Sequence, residues 1–550
     1  MDHITLPLSQ TGRGYRPKAI LLLRNAQRRS KIPPAMPAAA ITAAEPFRRP
    51  KHEEAWPISR GKQFNRAKLF QVPLQIGERR FRKSILVQPS PVRRGQAIRS
   101  CKSFADSVEE ADAAVDSAYE AFEDGPWGRM HHEERAKILF RMADLMDERA
   151  DDFAIREAMD MGMPYKDFRE IIMPHCSGLF RFFGGLAMSA MNGGYRSSYE
   201  YDIRILTRRE PLGVVAAITP FNFPLALSCS KIAPALAAGN TIVHKPASDT
   251  PLTALALAQV ALDAGVPKGV YNLITGPGGR LGDALVKNPK VEKIAFTGST
   301  GVGQGIMRNG ADTMKHLTME LGGKSPNIVF ADANMEAALQ AAFWGIFWNK
   351  GEVCVAGSRI LVERAIYDEF VERLSRMAQD AVLGDPLDPA TQIGPIASRA
   401  EYDKVLRYVQ AGKDSSARLT AGGGTRQIDG KGLFIEATVF ADATNDMTIS
   451  REEIFGPVVP VIPFEGEDEA IRLANDTPYG LASGIQTGDI GRALRLADRI
   501  KAGTVWLNTW HKYHPNAPFG GYRMSGYGRE QGAEALENYS QYKTIWANLA

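Results

Sequence analysis

The stretch NKGEVCVAGSR (349–359) holds a cysteine between a Gly-Glu-Val run and small residues that leave room around a sulfur. Cys354 is one of four cysteines, with Cys101, Cys176 and Cys229. A thiolate is a strong nucleophile, but it needs a partner that moves a proton or activates water. Most isolated cysteines are buried structural thiols, and that alternative stays open here. Glu320, in TMELGGKSPNIVF (318–330), ends a strand-like apolar run and precedes two glycines that let the backbone pass close to a neighbour. A carboxyl group in apolar surroundings has its pKa raised, which suits a general base near neutral pH. The alternative is a strand-end glutamate facing solvent. Asn222, in the aromatic, proline-flanked TPFNFP (219–224), offers a poorly solvated amide able to donate to a developing oxyanion.

Two further signals concern anions and hydroxyls. Lys245 ends the β-branched run NTIVHKP (240–246), at the sheet edge where doubly wound folds bind nucleotides. A point cation there suits ribose hydroxyls or a phosphate. FTGSTGVG (296–303) follows a strand and opens a helix, a geometry that presents free N–H groups to a pyrophosphate. GPGGRLG (276–282) approaches the G-x-G-x-x-G spacing without matching it. Each glycine signal is weak alone.

These residues need elements to hold them. Between 201 and 300, GVVAAIT, NTIVHKP, VYNLITG and EKIAFTGST read as strands, with a helix over DTPLTALALAQVALDAG. Such alternation implies a parallel, doubly wound sheet. A second set follows over 326–510: NIVFAD, a helix to Trp348, SRILVE, a helix from Ile366, the single strand FIEATVF, VVPVIPF, a helix from Asp468, and GTVWLN. The fold class is therefore α/β, with a doubly wound parallel sheet, and two α/β units fit the length. YEYDIRILTRRE (199–210) and QYKTIWANLA (541–550) alternate like exposed edge strands, and unpaired edges of this kind need a partner.

FNFP, VHKPAS, FTGST, MELGGKSPNIV, NKGEVCVAGSR, EEIFGPVVPV and PFGGYRMSGYGRE occur in one order at one set of spacings. Together they resemble the NAD(P)-dependent aldehyde dehydrogenase superfamily over about 104–550. The resemblance implies a doubly wound parallel-sheet cofactor domain (104–192 and 212–322), an α/β catalytic domain (323–535), and a small β oligomerisation element (193–211 and 536–550). The resemblance implies that Cys354 attacks the aldehyde carbonyl and that Asn222, with the Cys354 backbone N–H, binds the oxyanion. It implies that Glu320 activates water to hydrolyse the resulting thioester. Lys231 and Glu530 match a buried pair proposed to pass the proton onward; the alternative is a structural ion pair. Lys245, Ser248, Gly298, Ser299, Ile218 and Pro220 match contacts to the cofactor, NAD or NADP. Glu453 and Phe455 match a clamp on the nicotinamide ribose. Phe223, Leu227, Val353, Val355, Tyr513 and Phe519 fall around the aldehyde, with Trp510 and His511 nearby. This lining favours an apolar or aromatic aldehyde. It also leaves open a quaternary ammonium aldehyde held by cation–π contact. Many NAD-preferring members carry Glu where this chain has Ser248; serine removes a carboxylate that would repel a 2′-phosphate, so NADP should be admitted.

Two other functions compete. A coenzyme-A-acylating enzyme generally lacks the carboxylate at Glu320, and a non-catalytic relative would not keep Cys354, Glu320, Asn222 and Lys245 together. The four cysteines show no C-x-x-C spacing, which argues against zinc and against a disulfide framework, so no metal and a reducing, cytoplasmic setting are expected. The apolar stretch 213–230 is broken by prolines and an asparagine, so no membrane span is expected. The expected partners are a small-molecule aldehyde and further copies of the chain, as a homodimer or homotetramer.

Residues 1–103 differ in texture. They carry 22 Lys and Arg against 5 Asp and Glu, while the remainder carries 45 against 57. The basic surplus thus belongs to this segment, and it gives no reason to expect a nucleic-acid partner for the rest. The Arg/Pro-rich, aperiodic sequence is expected to be disordered or frame-shifted, with a basic transit segment as a rival for 1–40.

Overall fold

The computed structural model describes residues 107–550 except Asp429, together with the backbone of four short strands between 70 and 85. Two parallel-based sheets dominate, and both follow from buried, β-branched or small-residue strands. The first sheet has the order 526–527, 316–320, 291–297, 214–218, 241–245, 271–273. All its pairings are parallel except that of Gly526–Tyr527 with His316–Glu320. The chain starts at the central Val214–Ile218 strand, fills one side through Tyr271–Leu273, then returns to fill the other. The order therefore reverses beside Val214–Ile218, which opens a crevice at the carboxyl ends of the strands.

The second sheet has the order 418–421, 438–441, 458–464, 359–363, 326–329, 482–486, 504–507, and is parallel apart from the antiparallel Arg418–Ala421 edge. Its core joins Ile328, Leu361, Ile462 and Ile485 to Leu473 and Leu496 on the helices Gly466–Asn475 and Ile490–Arg499. The link between the sheets is short. Glu320 ends a strand of the first, and Pro326 begins a strand of the second.

Several differences from the sequence reading have local causes. FIEATVF is two strands, Lys431–Ile435 and Thr438–Ala441, which lie in different sheets. The helices Arg399–Lys413 and Ile490–Arg499 were not expected. The first opens on Ser398, whose hydroxyl accepts from Glu401 N at 3.3 Å, half of a capping box that the sequence Ser-Arg-Ala-Glu spells out. The edge segments near 199–210 and 541–550 are not both unpaired. Ile203–Pro211 and Ser540–Asn548 pair with each other, antiparallel, from Ser540↔Pro211 to Asn548↔Ile203, and Gly194–Arg196 adds a third strand. Each edge thus supplies the other's hydrogen bonds.

Within 1–103, where the sequence reading assigns no strand, the backbone forms Leu74–Ile76 antiparallel to Arg79–Phe81, and Phe70–Gln71 antiparallel to Ser84–Ile85. Leu74 and Ile76 alternate, and Gly77-Glu78 is a two-residue turn signal between them and Arg79. The remainder of the basic segment, and the expectation of disorder or a frame shift there, lies outside the described residues.

Candidate active site

The parallel register brings the sequence candidates to one level at the carboxyl edge of the first sheet. Ile218 pairs with Lys245 and with Phe296, and Thr297 pairs with Glu320. The loops leaving these ends carry Pro220 and Asn222, Ser248, and Gly298 with Ser299.

Asn222 sits just before the helix Pro224–Ala238, whose first position is proline. Proline there has no N–H to waste, and its fixed φ suits the first turn. Asn222 is buried, and its Nδ2 donates to the carbonyl of Glu352 at 2.9 Å. An amide carries two N–H donors, so one remains for another acceptor. Asn349 Nδ2 in turn donates to the backbone carbonyl of Asn222 at 2.9 Å. The loop that carries Cys354 is thus tied to the Asn222 loop in both directions.

Cys354 follows an unusual turn. Asn349, Lys350 and Gly351 have φ of 47°, 53° and 73°. Left-handed backbone costs a non-glycine residue roughly 1–2 kcal/mol, so two in succession must be held by their surroundings. Gly351 is required for a second reason: a Cβ there would overlap the carbonyl of Gly456. Val353, Val355 and Ala356 are buried around Cys354, which is itself half-buried. The thiol is pushed up to about 12, first by burial and then by the carboxylates of Glu320 and Glu453. Gly323, next to the strand end of Glu320, passes so close that a Cβ would overlap the Cys354 carbonyl oxygen.

Glu320 is buried and neither carboxyl oxygen has a hydrogen-bond partner. Burial, then the charge of Glu530, holds its pKa well above the ordinary range, while Lys231 and Arg529 pull it down. Lys231 and Glu530 form a fully buried ion pair. Lys231 also donates to Thr297 Oγ1 at 2.6 Å, and Ser230 donates to the second Glu530 oxygen at 2.6 Å. Gly520 makes room for Glu320, since a Cβ there would sit 2.9 Å from its Oε1.

The remaining candidates line the sheet edge. Lys245 is buried, donates to the Pro246 carbonyl at 2.9 Å, and is lowered to about 8 by burial. Ser248 donates to the Gly276 carbonyl at 2.7 Å, which joins the strand-end loop to the glycine-rich turn. Ser299 caps the helix Thr300–Gly310, accepting from Val302 N at 3.4 Å. Side chains added at Gly279, in the first turn of the helix Gly278–Lys287, or at Gly301 would meet nothing, so both helix starts face open space. Glu453 accepts from Gly323 N at 2.9 Å. Phe455, with φ 57°, stands edge-on to Phe221 at 5.8 Å. A strand-end lysine and two glycine-rich helix starts beside open space fit an extended phosphate-bearing cofactor. Among the described residues no cluster of His, Cys, Asp or Glu could hold a metal ion.

Aromatic rings continue from the loop that carries Cys354. Phe223 meets Trp348 at 5.3 Å, Trp348 meets His511 at 4.8 Å, and Tyr513 meets Phe519 at 6.1 Å. Tyr513 donates to or accepts from His511 Nδ1 at 3.0 Å, and a Cys354 thiolate would help raise its phenol. Burial lowers His511 to about 3, so this ring is neutral. Leu227 packs beside the same core, whereas Trp510 lies behind it, against Gly345 and Gly357. The sequence reading placed neither Trp348 nor the Lys350–Glu352 ion pair, 3.1 Å long, at the site. The spacing FWNKGEVC does put Trp348 within reach of Cys354 once the chain turns.

The chain matches the aldehyde dehydrogenase family over residues 89–545, beginning ahead of the Phe104 boundary. It is 46% identical to aldehyde dehydrogenase 1 of Tanacetum cinerariifolium over 438 residues, covering 80% of this chain and 87% of that one. It is 45% identical to betaine aldehyde dehydrogenase of Agrobacterium fabrum over 428 residues, 77% and 85% of the two chains. The NAD+ complex of an aldehyde dehydrogenase from Bacillus cereus superposes with a TM-score of 0.79 at 44% identity, over 80% and 89% of the chains.

Proposed function

The chain belongs to the aldehyde dehydrogenase family and is an oxidoreductase acting on aldehydes, and on that premise we propose that it works through a thioester on Cys354 that Glu320 helps hydrolyse. The observation that carries this reading is the unpartnered, buried carboxylate of Glu320 in the electrostatic neighbourhood of the Cys354 thiol.

Cys354 Sγ attacks the aldehyde carbon, and its proton passes to Glu320. The burial that raises the thiol's pKa makes this base necessary. The free N–H of Asn222 and the N–H of Cys354 bind the oxyanion. NAD(P)+, when bound, supplies the hydride acceptor that turns the tetrahedral adduct into a thioester. Lys245, Ser248, Gly298, Ser299, Ile218 and Pro220 would hold it, with Glu453 and Phe455 at the ribose. Lys231 and Glu530 carry the thiol's proton away from Glu320, which is then free to take a proton from water. The hydroxide displaces the Cys354 thiolate, the carboxylic acid leaves, and one of the two protons returns to the thiolate while the other departs by the same pair. Ser248 leaves a 2′-phosphate unopposed, so both NAD and NADP are accepted.

Phe223, Leu227, Val353, Val355, Tyr513 and Phe519 line the aldehyde's approach with no basic residue among them, which supports an apolar or aromatic aldehyde. The aromatic rings, together with the betaine aldehyde relative, favour a quaternary ammonium aldehyde as the second reading. A panel of both aldehyde types with each cofactor tests this, run beside Cys354→Ala. The variant should lose oxidation and retain cofactor binding; turnover in it would sink the thioester route. We further propose a homo-oligomer joined through the three-stranded sheet, where Leu206, Tyr542 and Trp546 are exposed. Light scattering that gives a monomer at micromolar concentration would contradict it.

A further inference from the structure

We propose that the buried Lys350–Glu352 ion pair is a positioning device for the oxyanion site, locking the turn 349–351 so that the Asn222 amide is held beside Cys354. The inference deepens the reading of Cys354 as nucleophile and rests on it.

The pair occupies space that no step of the reaction requires. Both side chains are fully buried, and Lys350 Nζ lies 3.1 Å from Glu352 Oε2. Lys350 also donates to Asn349 Oδ1 at 2.8 Å. The other Glu352 oxygen accepts from Ala397 N at 3.1 Å, which anchors the pair to the segment leading into the helix Arg399–Lys413. A third titratable group, Glu157 on the helix Ala150–Met161, raised to about 8 by burial, faces Lys350, and Glu401 faces Glu352 from the helix Arg399–Lys413. Glu157 accepts from Leu225 N at 3.5 Å, in the first turn of the helix that follows Asn222.

The geometry links these charges to the amide through two short paths. Asn349, oriented by Lys350, donates to the Asn222 carbonyl. Glu352, held by Lys350 and Ala397, offers its own carbonyl to Asn222 Nδ2. Both paths run through the left-handed turn, whose backbone is intrinsically unfavourable at Asn349 and Lys350. Without the pair the turn has fewer partners to hold it. The Glu352–Val353 peptide is then free to rotate, and with it the acceptor that orients Asn222. Neither Lys350 nor Glu352 has a place in the proton path through Lys231 and Glu530, which lies on the Glu320 side. The pair therefore acts on the first half of the reaction, adduct formation and hydride loss, rather than on hydrolysis.

The test uses the full chain, NAD+ and an aldehyde that the wild type oxidises, with rapid-mixing measurement of the burst of reduced cofactor. Glu352→Gln and Lys350→Met each break the pair; the double variant K350M/E352Q removes both charges and serves where a lone buried charge prevents folding. A lost alignment of this kind costs about 10²-fold in rate. The burst rate of the variants should fall by that order, while the NAD+ dissociation constant and the rate of Cys354 alkylation by iodoacetamide stay near wild type. In an Asn222→Ala background, which already lacks the amide, K350M/E352Q should cause little further loss. Wild-type burst rates in the variants would overturn the proposal. So would losses that multiply with Asn222→Ala, or alkylation that slows as much as the burst, since the pair would then act on the thiol or on the fold at large. Turnover surviving in Cys354→Ala would overturn the thioester reading and this proposal together, whereas Cys354-dependent turnover with unaltered bursts overturns the pair's role alone.

Discussion

Two buried lysine–glutamate pairs flank Cys354, and they differ in what completes them. Lys231 and Glu530 are completed by hydroxyls: Thr297 accepts from the lysine, and Ser230 donates to the carboxylate. Lys350 and Glu352 are completed by amides, the Asn349 side chain and the Ala397 backbone N–H. A hydroxyl both donates and accepts and can reverse its direction, so the first pair sits in a network able to move a proton. Amides present fixed donors and acceptors, so the second pair can hold backbone and do little else. The same two charges thus take different work from the polar groups around them. Breaking either pair by removing one partner leaves an uncompensated buried charge, so stability alone does not tell them apart; kinetics does.

The largest effect that sharpens the contrast comes from the carboxylate the first pair serves. Glu320→Gln should slow the burst of reduced cofactor, since the thiol's proton loses its acceptor, and slow the following steady state further, by about 10²–10⁴-fold, the range of a lost general base. A steady state slowed no more than the burst would remove Glu320 from hydrolysis. Next is Lys231→Met. Lys231 pulls the Glu320 pKa down and Glu530 pushes it up, so the variant should raise a pKa already held high by burial. The active carboxylate then appears only at higher pH. Steady-state turnover near neutrality should fall about tenfold for each unit of that rise, and recover toward alkaline pH. A pH profile unchanged from wild type would make the first pair as static as the second. The smallest change is Ser230→Ala, which removes one donor from Glu530 and keeps the pair. A loss of about 1 kcal/mol in stability, read from urea midpoints, is expected, with a few-fold drop in steady-state rate. If only stability moves, the hydroxyl is a packing partner and not part of a proton route.

The sequence made Cys354, Glu320 and Asn222 visible because each lies in a short motif whose residue types already fit the chemistry. The strand ends were visible for a similar reason: β-branched runs stop at turn residues, and the parallel register then aligns Ile218, Lys245, Thr297 and Glu320 without further information. The Lys350–Glu352 pair was not visible. Charged residues two apart in a glycine-containing turn read as solvated, and only the run of positive φ folds them back on one another inside the protein. Trp348 was hidden by its setting at the end of an apolar helix, where aromatic residues ordinarily belong to the core. The helix Arg399–Lys413 was missed although Tyr402, Val405, Leu406 and Val409 stand at helical spacing, because the proline- and aspartate-rich turns from 380 to 398 hid its start. The edge segments were misjudged because alternation identifies a strand's faces and says nothing about which strand lies beside it.

The protonated resting state of Cys354 has a consequence for the lifetime of the molecule. Oxidation by peroxides begins on thiolates, and the first product, a sulfenic acid, leads on to forms that cannot be reversed. With the thiol pushed up to about 12, only a minute fraction is ionised at neutral pH before an aldehyde arrives. The protein therefore holds this sulfur in the form that peroxides attack slowly.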